Sequence, residues 1–196
     1  MSFTSDQINL INIAKEKLNK TLTEKLMDPL ITSELHNIII ENCVVSGGVT
    51  ASLMTYSKVN DIDLYFKTVE GMTMFQKYMS MKKNQNVIKD ADATGPYATT
   101  LLNGKLVTAN ATTLFNDLQF ITLSTFEEQQ ASFDFIHCKP YLDINVNKFF
   151  ISEAQYDSIV GFKLVINNKN SVTEKRLKKF KDRGWKLPDD GLVSLS

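Results

Sequence analysis

Asp61 and Asp63 stand one residue apart in "NDIDLYF", a run whose other members are mostly apolar. Successive side chains of a strand point to opposite faces. Ile62, Leu64 and Phe66 would then share one face, and Asp61, Asp63 and Tyr65 the other. The first face reads as core. The second must be wet, paired with cations or bound to metal. Two residues of strand span roughly 6.5–7 Å. Carboxylates over that distance can converge on hard cations, which lie about 3.5–4 Å apart in two-metal sites. Magnesium suits such sparse ligation, one or two carboxylates plus phosphate oxygens. Taken alone, however, an acid–apolar–acid strand is most simply a solvated polar face.

Gly47 and Gly48 shift that balance. They end the short apolar run "CVVS" and precede "VTASLMTY", which reads as a helix. A strand–glycine–helix junction presents free backbone N–H groups, and glycine lets a phosphate approach closely. Ser46, Thr50 and Ser52 add hydroxyl donors. Twelve residues separate Gly48 from Asp61. A phosphate seat followed by a metal-binding pair meets the needs of a nucleoside triphosphate with its cation. The turn is not a Walker loop, because no Gly-Lys-Ser/Thr follows, and it is not a G-x-G-x-x-G dinucleotide turn.

These residues resemble the signature of the DNA polymerase beta superfamily of nucleotidyltransferases: "SGG", a spacer, then "DIDLYF". The blocks "VTANATTL", "LQFI", "EEQQASFDFIHCKPY" and "RLKKFKDRGWKL" look like small nucleotidyltransferase-like proteins of tailed bacteriophages, over about residues 40 to 188. Two positions depart from the superfamily pattern. The spacer lacks an arginine found in many members, and Asn60 precedes the first aspartate in place of serine or threonine. The resemblance implies an α/β (α+β) nucleotidyltransferase fold, a mixed central sheet flanked by helices with helical terminal segments. It also implies transfer of a nucleoside monophosphate from a triphosphate, ATP first among them, to a hydroxyl acceptor with Mg2+ or Mn2+. Asp61 and Asp63 would hold the metal. A third acid on a neighbouring strand would complete a second metal site. Asp134 in "SFDFIHC", flanked by core-facing Phe133 and Phe135, is the expected one, and Asp143 in "YLDINV" is its rival. Gly47, Gly48, Ser46, Ser52 and Lys179 would contact the nucleotide.

Other reactive residues read more plainly. Cys43, Cys138, His36 and His137 lack the close ligand pair of a zinc site. The cysteines read as small core residues and His137 as a core histidine beside the site. "TEKRLKKFKDRGWK" carries Lys175, Arg176, Lys178, Lys179, Lys181, Arg183 and Lys186. Those charges form either the solvated face of a helix over Leu177 and Phe180 or a contact for triphosphate or RNA. Trp185 reads as core, and the Met-rich segment around Met72, Met74, Met79 and Met81 as packing.

The elements that must position these residues follow from periodicity. Ile8, Ile11, Ala14, Leu18, Leu22 and Leu26 make an amphipathic helix with Thr4 or Ser5 as cap, interrupted at Pro29. "ITSELHNIIIEN" gives a second helix and "GMTMFQKYMSM" another. "QNVIKD", "KLVTAN", "LQFITL", "SFDFIHC" and "NKFFI" read as strands, with turns at Gly95-Pro96 and Asn103-Gly104. "EAQYDSIVGFKLVI" and "SVTEKRLKKFKDRGW" read as helices before a frayed tail. The expectation is one domain over 1–196: a helical segment 1–40, a sheet core 41–150, C-terminal helices 151–188 and a tail 189–196.

The chain is 43% hydrophobic and 22% charged, with 22 basic and 22 acidic residues. Whole-chain charge therefore gives no reason for nucleic-acid or membrane binding. The sequence carries no secretory signal and no apolar run of membrane-spanning length, so a cytoplasmic protein with reduced thiols is expected. Three functions stay open: transfer to an RNA or tRNA end, modification of a protein hydroxyl, or non-catalytic nucleotide binding by a phage factor acting on host defence or metabolism.

Overall fold

The computed structural model describes residues 3–29, 31–83, 87–88, 100–102, 105–107, 111–113 and 117–188. Chain order begins with helix α1 (Ser5–Leu26), whose first turn is closed by a capping box between Thr4 and Gln7. Of its apolar stripe, Ala14, Leu18, Leu22 and Leu26 are buried, whereas Ile8 is exposed. Helix α2 (Ser33–Asn42), capped by Thr32, runs directly into strand β1 (Cys43–Ser46). After Gly47 comes the short helix α3 (Gly48–Met54), then strand β2 (Ile62–Phe66) and helix α4 (Val69–Lys83). Strands β3 (Val87–Ile88), β4 (Thr100–Leu102), β5 (Lys105–Val107), β6 (Ala111–Thr113) and β7 (Leu118–Ile121) follow. Helix α5 (Phe126–Ser132), a 3-10 turn at Ile136–Cys138, and the β8 (Tyr141–Asp143)–β9 (Lys148–Phe150) hairpin lead to helices α6 (Glu153–Val160) and α7 (Glu174–Lys181).

The described strands form one mixed sheet in the order β3-β4-β5-β6-β7-β2-β1-β8-β9. β2 lies at its centre, antiparallel to β1 and parallel to β7. Its alternation is as read from the sequence on one face: Ile62, Leu64 and Phe66 are fully buried, and Phe66, Phe75 and Phe120 pack ring on ring. That cluster joins the sheet to α2, α4 and the C-terminal half of α1. The opposite face is drier than expected. Tyr65 is buried because Phe126 and Phe133, at the two ends of α5, pack on its ring. A second apolar cluster ties α1 and α3 to α6 and α7 through Ala14, Ala51, Ile159, Leu177, Phe180 and Trp185.

Three expectations change. "SFDFIHC" is not a strand: α5, started by a Thr125–Glu128 capping box, occupies 126–132, and a bend and the 3-10 turn take the rest. Only Phe135 keeps a β-bridge, to Ile166. The helix in "EAQYDSIVGFKLVI" stops at Val160, where Gly161 caps it. The last helix is confined to Glu174–Lys181. The turns at 95–96 and 103–104 and the tail 189–196 lie outside the described residues. Among the described residues, no helix is long and apolar enough to cross a membrane.

Candidate active site

The β1–β2 register sets Ser46 opposite Asp63, so the glycine turn lies against the second aspartate. Gly47 has φ +87°, and a Cβ there would come within 2.7 Å of Asp63 Oδ2. Only glycine fits such a conformation beside such a neighbour. The turn is held from behind, where Gly47 N–H donates to Cys138 O at 3.0 Å. The Ser46 hydroxyl donates to Cys138 O and Pro140 O, and Thr50 to Gly47 O. Both hydroxyls are buried. The expectation that Ser46 contacts a nucleotide is thereby corrected: its hydroxyl is committed to fastening the turn. Ser52, one helical turn on, does face the open side.

That open side is a cleft of about 320 Å³. Gly47, Gly48, Ser52, Asp61 and Asp63 line it together with Arg176, Lys179 and Arg183. The expected turn, acid pair and Lys179 are therefore brought together. Arg176 and Arg183 belong to the same basic run, in which only Lys179 was expected at the nucleotide. Their signal was the 176–179–183 spacing, a helical period flanking buried Phe180, over whose ring Arg176 lies at 5.2 Å. The other basic residues of the run, Lys175, Lys178, Lys181 and Lys186, are exposed and do not line this cleft, with Lys178 paired to Asp182.

Asp63 Oδ1 is enclosed and has no hydrogen-bond partner. Burial, and then the nearby charge of Asp61, push the Asp63 carboxyl up to about 7, while Lys179 and Arg176 pull it down. An enclosed carboxylate oxygen without a donor, beside a second carboxylate and the cations Arg176, Lys179 and Arg183, fits a divalent cation bound with a polyphosphate.

The third acid is not where the sequence placed it. Asp134 lies in the bend after α5 and is buried, not on a strand next to β2. Arg176 Nε donates to its Oδ2 at 2.6 Å and Nη2 to its Oδ1 at 3.2 Å. The N–H of Phe135 also donates to Oδ1. Its oxygens are thus occupied in orienting Arg176, whose other side lines the cleft. The rival Asp143 is on β8, bonded to Lys67 and to the Asn145 amide. Across β2, the residues flanking Asp63 are Ser46 and Gln119, neither acidic. Among the described residues no group of three acids, cysteines or histidines is placed to share a metal.

His137 is fully buried among Phe135, Phe180 and Trp185, stacked on the indole at 4.0 Å, with both ring nitrogens unpartnered. Burial drives its pKa down to about 3, so it is neutral. Cys43 and Cys138 are free and buried, in the two separate apolar clusters.

Two outcomes follow. Between pH 4 and 7 folded Asp63 keeps a proton that the unfolded chain gives up, so metal-free stability falls as pH rises through that window. Thermal melts in chelator should show this fall in the wild type and a flatter profile in Asp63→Asn. Mg2+ added above pH 7 should restore stability only where Asp63 is present. Asp134→Ala should cost roughly 2–4 kcal/mol by denaturant titration, because Arg176 loses a buried partner. Asp134→Asn should weaken triphosphate binding but leave Mg2+ affinity within about twofold; a metal ligand would lose 10-fold or more.

A family model described as Gad2, Gabija anti-defense 2 family protein, matches residues 12–160. No curated protein matches the sequence. Solved structures with a similar backbone include a CCA-adding enzyme with CTP, at TM-score 0.50 and 16% identity, covering 88% of this chain and 42% of that one. An apo CCA-adding enzyme gives TM-score 0.50 at 15% identity, covering 87% and 42%. The Thermotoga maritima CCA-adding enzyme complexed with tRNA gives TM-score 0.48 at 15% identity, again covering 87% and 42%. The chain spans less than half the length of these enzymes, and at such identity the likeness is one of fold: a mixed α/β nucleotidyltransferase-like sheet, as the sequence implied. The family match reaches further, for it takes in the turn, the aspartate pair and the Asp134 bend: the chain belongs to the Gabija anti-defense 2 family.

Proposed function

We propose that this chain is a metal-dependent nucleotidyltransferase that moves a nucleoside monophosphate from a triphosphate to a hydroxyl acceptor. The observation that carries the reading is the unpartnered, enclosed Oδ1 of Asp63, set beside Asp61 and against the Gly47–Gly48 turn in a cleft walled by three cations. A divalent ion held by Asp61 and Asp63 supplies charge neutralisation at the phosphates when bound. Gly47 and Gly48 let the phosphates approach the backbone. Arg176, held at a fixed angle by Asp134, and Lys179 offset the charge that builds on the departing oxygens. The bond made joins the acceptor oxygen to the α-phosphorus. The bond broken releases pyrophosphate.

For the acceptor, the first expectation was an RNA end, motivated by the basic helix. Arg176 and Lys179 of that helix, and Arg183 in the turn after it, line the cleft, which favours their use on the triphosphate. The family description, anti-defence against Gabija, is compatible with both alternatives, a protein hydroxyl as acceptor and a non-catalytic nucleotide-binding factor acting on host defence, and the protein hydroxyl is the acceptor to test first. ATP is the first donor to test.

The experiment incubates the chain, Mg2+ and each α-labelled triphosphate with lysate of cells carrying that defence system. The expected result is an RNase-resistant labelled protein band, reduced at least about 100-fold in Asp63→Asn. RNase-sensitive label would reassign the acceptor to RNA. No label from any of the four triphosphates, in protein or RNA, would remove the transferase reading.

A further inference from the structure

Helix α5 ends without a closing device of its own. Phe133, the residue after it, has φ −56° and ψ 137°, so the chain leaves in extended geometry and not through a left-handed turn. Its last turn carries no basic residue. The carbonyls at that end need donors from elsewhere. Asn167 supplies them. Its Nδ2 donates to Phe133 O at 2.8 Å and to Gln130 O at 3.2 Å, with a longer contact to Ala131 O at 3.4 Å. Asn168 Nδ2 donates to Ala131 O at 3.3 Å.

The orientation of the Asn167 amide is fixed by chemistry. Its Oδ1 accepts from Lys139 Nζ at 2.9 Å. An ammonium only donates, so the oxygen must face Lys139 and the NH2 must face the carbonyls. The backbone adds to the clamp: the N–H groups of Asn167 and Asn168 donate to Asp134 O at 2.8 and 3.3 Å. Asn167 is half-buried and does not line the cleft. It nevertheless grips the chain on both sides of 134–138, the piece that presents the Asp134 carboxylate to Arg176 and the Cys138 carbonyl to the Gly47 amide.

We infer that Asn167 is a positioning residue of the cleft, clamping the Asp134 bend so that Arg176 is aimed at the phosphates of a bound triphosphate. The inference rests on the nucleotidyl-transfer reading and adds to it a residue that touches neither nucleotide nor metal. A two-pronged carboxylate–guanidinium contact transmits angle as well as position. Any shift of the bend therefore re-aims Arg176, and a displacement of about 1 Å far from the chemistry can cost on the order of 100-fold in rate. Were Asn167 only a cap for α5, its loss would lower stability with no regard to Arg176.

The test is a double-mutant cycle on binding. A non-hydrolysable ATP analogue with Mg2+ is titrated calorimetrically into the full chain, and Mg2+ alone into a second sample. Asn167→Asp keeps the size of the side chain but turns an acceptor toward the carbonyls, and Asn167→Ala removes the amide. Each should weaken analogue binding about 10-fold and leave Mg2+ affinity within about twofold. In an Arg176→Ala background the same changes should cost less than about twofold. Lys139→Met keeps the amide but frees its orientation, and should cost a few-fold; it decides the matter if the Asn167 variants do not fold. Unchanged analogue affinity in these variants, an equal loss with and without Arg176, or no analogue binding by the wild type would overturn the clamp. If labelled transfer persisted in that case, the transferase reading would stand alone. Coupled losses in binding without any transfer would sustain the clamp and remove the transferase.

Discussion

The arrangement depends on one close approach, Gly47 against Asp63. A side chain at position 47 would meet Asp63 Oδ2 at 2.7 Å, so the turn and the acid can share a site only because residue 47 has no Cβ. Two register relations enforce the contact. Ser46 lies opposite Asp63 across β1 and β2, and the carbonyl of Cys138 grips both Ser46 Oγ and the Gly47 amide. The 3-10 turn that supplies that carbonyl also carries His137. It is anchored in turn by the aromatic packing of Phe135 and Phe180 in the second apolar cluster. The distant helix α7 is therefore part of the same construction: its apolar side completes this packing, and its basic side faces the acids.

The same approach explains the electrostatics. Placing Asp63 beneath the turn encloses one of its oxygens without giving it a donor. The cost appears as a carboxyl pushed up to about 7 with Asp61 nearby. The fold thus disfavours the charged form of Asp63, a state that a bound cation would relieve. Asp134 resolves its own burial in the opposite way. Its carboxylate is fully engaged by a two-pronged contact with Arg176, which fixes the guanidinium toward the cleft. One buried acid has an oxygen without a partner and the other accepts three hydrogen bonds, and that contrast is why Asp63 rather than Asp134 is proposed as the metal ligand.

Much of this was legible in the sequence because it is local. The Gly-Gly turn, the alternation of β2 and the stripe of α1 are set by neighbours a few residues away, and each lies where periodicity put it. What failed depended on tertiary context. "SFDFIHC" alternates like a strand, yet the Thr125–Glu128 capping box starts a helix just before it, and Asp134 turns to an arginine 42 residues later. Tyr65 alternates with the acids but is dried by Phe126 and Phe133, rings from a helix that strand periodicity hides. Ser46 looked like a nucleotide donor because its type suited the role. Only the fold shows its hydroxyl spent on Cys138 and Pro140.

The central claim is that Asp61 and Asp63, not Asp134, hold a cation under a triphosphate. The most direct measurement is a crystal structure with Mn2+ and a non-hydrolysable triphosphate, with the metal located by anomalous scattering. The account predicts a peak within coordinating distance of Asp61 and Asp63, phosphates over Gly47 and Gly48, and the Asp134–Arg176 pair intact. A metal bound by Asp134 with Arg176 displaced, or a triphosphate bound away from the aspartate pair, would contradict it.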